Sequence, residues 1–345
     1  MKKRVCIYTL NGNDNYGNKL QNYALVKYIE SFGFSVFTIW LENSLKKIKR
    51  ILQYISYILL NKKRRISFLK FNKYLNYIYK NKLNFSNKID YFIVGSDQVW
   101  NCKFAEFDSS YLLNKVESSK RISYAASFAI DVLPENYKTL FLSELIKFKC
   151  LSVREFGGKK IINDLNKDLD VKVVIDPTML LTADEWDNVS LKPKMLKNDK
   201  FILNYFLGKL SEDKRNEIER VAQENNCEII NILDKNSPFY ECGPSEFLWL
   251  EKHAFLICTD SFHSSVFAVL YNRPFIIFDR EQEGMAKMNS RLDTLISKFN
   301  LKNRKFEGKI TQENLNHDYS ETYRILEIER QKSKDFLERA LDIKK

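Results

Sequence analysis

The stretch TDSFHSS, Thr259–Ser265, follows an apolar run, Ala254 to Cys258, and precedes a helix-like segment. A buried strand that ends in polar residues and then opens a helix directs free backbone N–H groups, hydroxyls and an imidazole at one point. Such a point binds anions, and His263 adds a group that gains or loses a proton near neutral pH. The alternative is that Asp260 or Ser261 only caps the helix and His263 is a satisfied core histidine.

The chain opens with a similar unit. Val5 to Leu10 is an apolar strand, and the turn NGNDNYGNKLQ, Asn11–Gln21, leads into a helix that ends near Gly33. Strand, Gly/Asn turn and helix form the first unit of a doubly wound sheet, whose ligands bind at the carboxyl edge of the strands. The turn matches neither the GxGxxG fingerprint nor the GxxxxGK[ST] loop.

Four further short β-branched or aromatic runs end in small polar or charged residues: YFIVGSDQVWN (Tyr91–Asn101), SYAASF (Ser123–Phe128), LSVRE (Leu151–Glu155) and VVIDPT (Val173–Thr178). Strands alternate with helical segments along the chain, which predicts the α/β class. A chain of 345 residues exceeds the usual size of a single core. We therefore expect two Rossmann-like domains, 1–182 and 183–345, with a polar linker at Thr182 to Lys200 and a long charged C-terminal helix from about 318 to 343.

Composition restricts the function classes. The run after Met1-Lys2-Lys3-Arg4 is too short for a signal peptide. Six scattered cysteines with no CxxC pair indicate buried reduced thiols in a cytoplasmic protein. With three histidines and no HExxH, we expect no His-rich metal site, and whether the reaction requires a metal stays open.

The net charge of +12 is concentrated in residues 41–90, which hold thirteen Lys or Arg residues against two acids. Within this basic helical insert the apolar run Ile51 to Leu60 is too short to span a bilayer, which takes about 20 residues. One interpretation of the segment from Lys46 to Arg65 is a helix at an anionic membrane surface. The other is a packed helix with a solvated basic face. The basic residues lack the interleaving typical of nucleic-acid binders, so we expect no nucleic-acid partner.

Seven motifs in order resemble the polysaccharide pyruvyl transferase family: NYGN-LQ (Asn15–Gln21), GSDQVWN (Gly95–Asn101), SVRE (Ser152–Glu155), DPT (Asp176–Thr178), GP-EF (Gly243–Phe247), TDSFH (Thr259–His263) and RPF (Arg273–Phe275). The resemblance implies transfer of pyruvate from phosphoenolpyruvate to a sugar of a polysaccharide, glycan or lipid-linked precursor, with no cofactor. It also implies a GT-B-like fold, that of type B glycosyltransferases, in which two domains face across a cleft and the last helix often returns to the first domain. Some family members have a basic residue where this chain has Ser261, so either another cation binds the phosphate here or the donor differs.

Ketal formation from phosphoenolpyruvate needs an anion site, a proton for the methylene carbon and deprotonation of two sugar hydroxyls. We expect His263 to bind phosphate or donate the proton, and Asp97 and Asp260 to act as base or to orient His263. Arg154 suits bidentate recognition of an anion, unless it forms a structural ion pair with Glu155 or Asp176. The remaining expected substrate-binding residues of the second domain are Ser261, Ser264 and Ser265. Those of the first domain, the acceptor side, are Asn15, Tyr16, Gly17, Asn18, Gln21, Gly95, Ser96, Gln98, Trp100 and Asn101.

Two points stay open. Trp100 and Tyr16 are candidates for stacking on a sugar, but for Trp100 a place in the core is at least as well supported. A nucleotide-sugar-dependent glycosyltransferase would use the same fold and helix start, with a carboxylate such as Glu246 on the ribose.

Overall fold

A computed structural model describes residues 2–40, 62–79, 88–104, 107–280 and 290–343. The apolar run Ile51 to Leu60 and most of the predicted membrane segment lie outside the described residues. The chain divides into two compact units. Unit 1 comprises Met1–Lys62, Asn72–Leu180 and Ile328–Lys345, and unit 2 comprises Lys63–Phe71 and Leu181–Glu327.

Strands and helices alternate in both units. In the described residues strands β1 to β11 span Arg4–Tyr8, Ser35–Trp40, Tyr77–Tyr79, Tyr91–Val94, Arg121–Ser123, Leu151–Val153, Val171–Val173, Phe201–Tyr205, Glu228–Asn231, Leu256–Thr259 and Phe275–Ile277. Helices α1 to α11 span Tyr16–Ser31, Lys62–Phe71, Glu135–Leu145, Phe156–Leu165, Ala183–Asp187, Glu212–Glu224, Pro244–His253, Phe262–Leu270, Ser290–Lys298, Gln312–Leu315 and Ser320–Ala340.

Unit 1 is built on a parallel sheet of order β3-β2-β1-β4-β5. Strands β6 and β7 form a separate parallel pair. The order reverses beside β1, so the carboxyl ends of β1 and β4 form the switch point at which open α/β sheets bind ligands. The side chains of Cys6, Phe92 and Val94 lie in the core of this unit.

Unit 2 repeats the architecture with a parallel sheet of order β11-β10-β8-β9. Its core contains Ile202, Leu256 and Cys258 from the two central strands. The order reverses between β8 and β10, which places the loop after β8 beside Thr259–Ser265. The predicted α/β class with two Rossmann-like domains is confirmed.

The basic insert, for which the sequence predicts a helix from about 46 to 80, differs from that prediction in its described part. Helix α2 ends at Phe71, a short 3₁₀ turn follows, and Tyr77–Tyr79 pairs with β2 as an edge strand. The sequence places all of residues 41–90 in the first domain. In the structure, Lys63–Phe71 groups with unit 2. Ile328–Lys345, the second part of the C-terminal helix and its last residues, groups with unit 1.

Candidate functional site

The switch point of unit 1 is a buried polar network. Gln21 accepts a hydrogen bond from the backbone N–H of Ser96 at 3.1 Å and donates to Thr9 Oγ1 at 2.8 Å. The Thr9 hydroxyl donates to the carbonyl of Ser96 at 2.9 Å. Gln21, Ser96 and Thr9 are at most 1% exposed. This network fixes the turn after β4 against the first two turns of α1.

The predicted NYGN turn forms the start of α1. Asn15 is the N-cap, and its Oδ1 accepts from the backbone N–H of Asn18 at 3.1 Å. Asn18 donates its side-chain amide to Asp97 Oδ2. Tyr16 is fully buried, so its ring offers no face to a sugar in this structure. Gly17 is also buried, within the first turn of the helix.

Arg154 lies between two carboxylates at the centre of unit 1. Its Nη1 donates to Asp176 Oδ2 at 2.7 Å and its Nη2 to Asp97 Oδ1 at 3.2 Å. All three side chains are at most 6% exposed. Burial alone would lower the pKa of Arg154, but the charges of Asp176 and Asp97 outweigh it and raise the pKa above its ordinary value. The guanidinium is therefore permanently charged.

The ion pair with Asp176 is one of the alternatives that the sequence left open. Glu155 has other partners, because its Oε1 accepts from the Ser127 hydroxyl at 2.9 Å and the backbone N–H of Phe128 at 2.9 Å. Ser96 joins the cluster by donating its hydroxyl to Asp176 Oδ2 at 3.0 Å. Unit 1 thus brings together Asn18, Ser96, Asp97 and Arg154 in one hydrogen-bonded group.

The GSDQVWN turn contains both network and core residues. Gly95 has φ +115°, and a Cβ there would lie 2.1 Å from the carbonyl oxygen of Tyr124, so the close approach requires glycine. Asn101 donates to Gln98 Oε1 at 3.1 Å within the turn. Trp100 is fully buried, packs on Phe128 and donates its indole N–H to the Tyr111 carbonyl. The core interpretation of Trp100 is the one that the structure supports, and a stacking role is not retained.

Asp260 is held rigidly at the switch point of unit 2. Its two carboxylate oxygens accept the backbone N–H groups of Leu207 and Gly208, each at 2.8 Å. Arg280 Nε donates to Asp260 Oδ2 at 3.0 Å, and Arg280 Nη2 donates to the Asp260 carbonyl at 3.1 Å. The carboxylate therefore joins the loop after β8, the end of β10 and a cation beyond β11.

His263 lies in the first turn of α8 and is 7% exposed. Its ring meets the Phe262 ring edge-on, with centroids 5.2 Å apart. The other two histidines have structural partners. His253 Nδ1 lies 2.8 Å from the Trp249 carbonyl oxygen, and His317 Nε2 lies 3.0 Å from the Asn272 carbonyl oxygen.

The serines beside His263 differ from their predicted role. Ser264 and Ser265 are fully buried and donate their hydroxyls inward, to Glu251 Oε1 at 2.6 Å and to the Ser261 carbonyl at 3.0 Å. Their hydroxyls are therefore not available as donors to a ligand in this structure. Ser261 is the N-cap residue, but among the described residues its side chain makes no capping hydrogen bond. The capping alternative for Ser261 is thus not supported.

The residues from the first motif to Arg280 match one family. The family model of the polysaccharide pyruvyl transferases covers residues 15–282. The chain belongs to the polysaccharide pyruvyl transferase family. The match includes all seven motifs, so this family member is a transferase that acts on polysaccharides.

Solved structures of other proteins align over most of this pyruvyl transferase family member. UGT89C1 of Arabidopsis thaliana, complexed with UDP-L-rhamnose, has 9% identity and a TM-score of 0.49, with 99% of this chain and 98% of that chain covered. UDP-GlcNAc 2-epimerase from Methanocaldococcus jannaschii has 13% identity and a TM-score of 0.45, with 95% and 99% covered. MurG of Acinetobacter baumannii has 12% identity and a TM-score of 0.39, with 99% and 92% covered. All three TM-scores lie below 0.5, and no function is inferred for this chain from these alignments. A search of curated proteins found no match.

Sequence reasoning missed two residues at the TDSFH site of this family member. Arg280 follows β11 in the run FIIFDR, and a basic residue at a strand end was the available signal. Glu251 is fully buried at the end of α7, and desolvation raises the pKa of its carboxyl well above the ordinary value. The sequence around Glu251 resembles an ordinary helix end, so only the fold reveals its contact with Ser264.

Metal and membrane expectations are tested only in the described part of the chain. There, no group of three or more His, Cys, Asp or Glu side chains is arranged to hold a metal ion. No helix within the described ranges is both long and apolar enough to cross a bilayer. The expected absence of a cofactor stays a prediction.

Proposed function

We propose that this chain transfers pyruvate from phosphoenolpyruvate to a sugar residue of a polysaccharide, glycan or lipid-linked precursor. The product is a pyruvate ketal, and phosphate is released. The observation that carries the proposal is the family match across residues 15–282, which includes the TDSFH strand end with its arginine. The family alone does not specify the donor or the acceptor.

The reaction adds a proton to the methylene carbon of phosphoenolpyruvate, which makes the neighbouring carbon an electrophile. Two sugar hydroxyls form bonds to that carbon and lose their protons, and the carbon–oxygen bond to phosphate breaks. We assign the proton donor to His263, because an imidazole is effective as a general acid near neutral pH. Asp260 is assigned to orientation of the site, since its carboxylate is already held by two backbone N–H groups.

Ser261 stands where some family members have a basic residue. Arg280 is the candidate for the cation that takes over this role. Its side chain is 9% exposed and is fixed on Asp260 by two hydrogen bonds. A preorganised guanidinium at a helix N-terminus favours a phosphate or carboxylate. The base role predicted for Asp97 is a separate proposal, supported by its buried contacts with Asn18 and Arg154.

The contacts of Glu246 favour pyruvyl transfer over the nucleotide-sugar alternative. The carboxylate that would hold a ribose accepts the backbone N–H of Gly243 at 3.0 Å and caps its own helix, α7. The described contacts therefore give Glu246 a structural role.

A thermal shift experiment tests the donor. A ligand that binds only the folded state raises the melting temperature. We expect phosphoenolpyruvate to stabilise the wild type and to lose this effect in Arg280→Gln, while UDP-glucose stabilises neither protein. Arg324→Gln, at an exposed arginine of unit 2, is the matched control and should behave as the wild type. Stabilisation by UDP-glucose alone would support the glycosyltransferase alternative.

A further inference from the structure

Unit 2 contains a cavity of about 520 Å³ beside the carboxyl ends of β8 and β9 and the first turns of α6. Its volume falls in the range of small-molecule sites, about 300–1,000 Å³. Phe206 and Leu210 of the loop after β8 line it, and the same loop donates the backbone N–H groups of Leu207 and Gly208 to Asp260. The cavity and the TDSFH strand end therefore share one loop.

Asn204 lines this cavity and carries a buried hydrogen-bond acceptor. The residue is 7% exposed and lines the cavity at the end of β8. Its amide nitrogen donates to Asn231 Oδ1 at 2.9 Å, while its Oδ1 has no hydrogen-bond partner among the described residues. Because a buried carbonyl oxygen without a donor is unfavourable, this position requires an O–H or N–H group from a ligand or from water.

The other polar lining groups are mostly acceptors as well. Glu219 and Asp234 contribute exposed carboxylates, and Arg215 is the cation of the lining. Carboxylates repel a phosphate and accept hydrogen bonds from hydroxyls. The half-buried side chains of Phe206 and Ile229 provide an apolar surface for the C–H face of a ring. A neutral ligand rich in hydroxyl donors fits this lining better than an anion does.

We propose that the cavity binds a neutral sugar ring and is an acceptor subsite of unit 2. The inference rests on the proposed function, because it takes the acceptor to be a glycan. We expected the acceptor side in the first domain, but there the side chains of Asn15, Asn18 and Gln21 are engaged in capping and internal hydrogen bonds. The acceptor of Asn204, for which the described part of the chain holds no donor, lies instead in unit 2.

Saturation-transfer NMR on the full chain without phosphoenolpyruvate tests the subsite. The probes are the neutral methyl glycosides of glucose, galactose and mannose, with UMP as the anionic competitor. We expect transfer to at least one glycoside, no displacement by UMP, and a signal at least about fivefold weaker in Ile229→Trp, which fills the cavity. Leu191→Trp is the matched control, since Leu191 is an exposed leucine of unit 2 outside the lining.

Two further variants keep the test decisive. If Ile229→Trp lowers the melting temperature, Leu210→Trp fills the cavity from the loop after β8, and Asn204→Ser shortens the buried amide side chain. The proposal is overturned if no glycoside receives saturation, if the filled variants bind as the wild type does, or if UMP displaces the glycoside. These results are independent of the donor, because failure of phosphoenolpyruvate to stabilise the chain would leave glycoside binding unchanged.

Discussion

His263 is the residue whose replacement separates catalysis from structure. If it donates the proton, His263→Gln should lower turnover by about 100-fold or more, the usual contribution of a positioned general acid. His253→Gln is the control, because that ring stacks on Trp249 with centroids 3.9 Å apart and has a structural carbonyl partner. Turnover and melting temperature are measured on both variants. Near-normal turnover in His263→Gln would mean that His263 is an ordinary core histidine and does not donate the proton.

Asp176 should contribute to stability through its charge. Removing one partner of a buried ion pair costs about 3–5 kcal/mol, so Asp176→Asn should lower the free energy of unfolding by that order in urea titration. Asp164→Asn removes an exposed pair with Lys160 and should cost at most about 1 kcal/mol. Equal effects of the two changes would contradict the structural role of the Arg154 cluster.

Lys19, in helix α1, should make the free energy of unfolding depend on pH. Its side chain is fully buried, and its Nζ donates to Asn72 Oδ1 at 2.8 Å and to the Tyr77 hydroxyl at 3.0 Å. Desolvation lowers its pKa from 10.5 to about 7, against an opposing effect of the Asp14 carboxylate. Between these two pKa values the unfolded chain binds more protons than the folded one.

The free energy of unfolding should therefore rise with pH from about 7 to about 10, by at most about 1.4 kcal/mol per pH unit from this group. In Lys19→Met this contribution should be absent. Denaturant unfolding at several pH values measures it, with Lys160→Met, an exposed lysine, as the control. A variant with the wild-type pH slope would mean that Lys19 keeps its proton in the folded protein.

Helix α2 changes the interpretation of the basic block. Arg64 is 3% exposed and donates to the Tyr240 carbonyl at 3.0 Å, and Lys63 pairs with Glu241 at 2.7 Å. Arg64 and Lys63 therefore have protein partners and are not free to contact a membrane. The exposed face of α2 carries Ile66 and Leu69, 40% and 46% exposed, beside Lys62 and Lys70.

We expect a membrane contact to use that exposed face. Vesicle flotation with anionic lipids at low salt should retain the wild type and lose a variant with Lys62→Gln, Lys70→Gln, Ile66→Ser and Leu69→Ser. Arg64 is left intact so that packing is preserved. The control has equal changes at other exposed positions: Lys194→Gln, Lys197→Gln, Leu191→Ser and Val132→Ser. Equal flotation of variant and control would mean that α2 is an ordinary packed helix whose exposed face does not contact the membrane.

The sequence predicts the central strands well and misses β3, at one edge of the sheet of unit 1. Short apolar runs bounded by Gly, Asn and Asp mark β1, β4 and β10 because their side chains are buried on both faces of a parallel sheet. Strand β3 has three residues and lies in a basic region, so local pattern favoured a continued helix. Helix α1 ends at Ser31, just before Gly33, which adopts φ +88°. This end lies near the predicted one.

For the whole molecule, the sequence places the candidate residues at strand ends and offers Asp176 as a partner of Arg154, but it does not predict the other contacts. Asp260 and Arg280 are separated by nineteen intervening residues, and Asp97 and Arg154 by many more, so their contacts depend on strand order. The hydroxyls of Ser264 and Ser265 point inward for the same reason. A motif gives the residue types at a site, and the sheet topology decides which of them meet.

The C-terminal segment should be indispensable to unit 1. Ser333 accepts the backbone N–H of Ile175 at 3.2 Å, and Leu337 and Leu341 are fully buried. Each buried leucine contributes about 1.5–3 kcal/mol, so a chain that stops at Glu327 should unfold at clearly lower urea concentration or fail to fold. A chain that stops at Asp342 keeps these contacts and is the control. Equal unfolding midpoints for the two would contradict this prediction.

The discontinuity of unit 1 also has a consequence for synthesis on the ribosome. Its first strand is made before any residue of unit 2, yet Ile328–Lys345 is made after every residue of unit 2. At about 5–20 residues per second, the nascent unit 1 waits on the order of ten seconds for its final helix. During that interval Ile175 and Tyr124 lack their contacts with Ser333 and Phe336. Chaperones that bind exposed apolar surface can then bind at this part of unit 1. The domain that starts first is completed last.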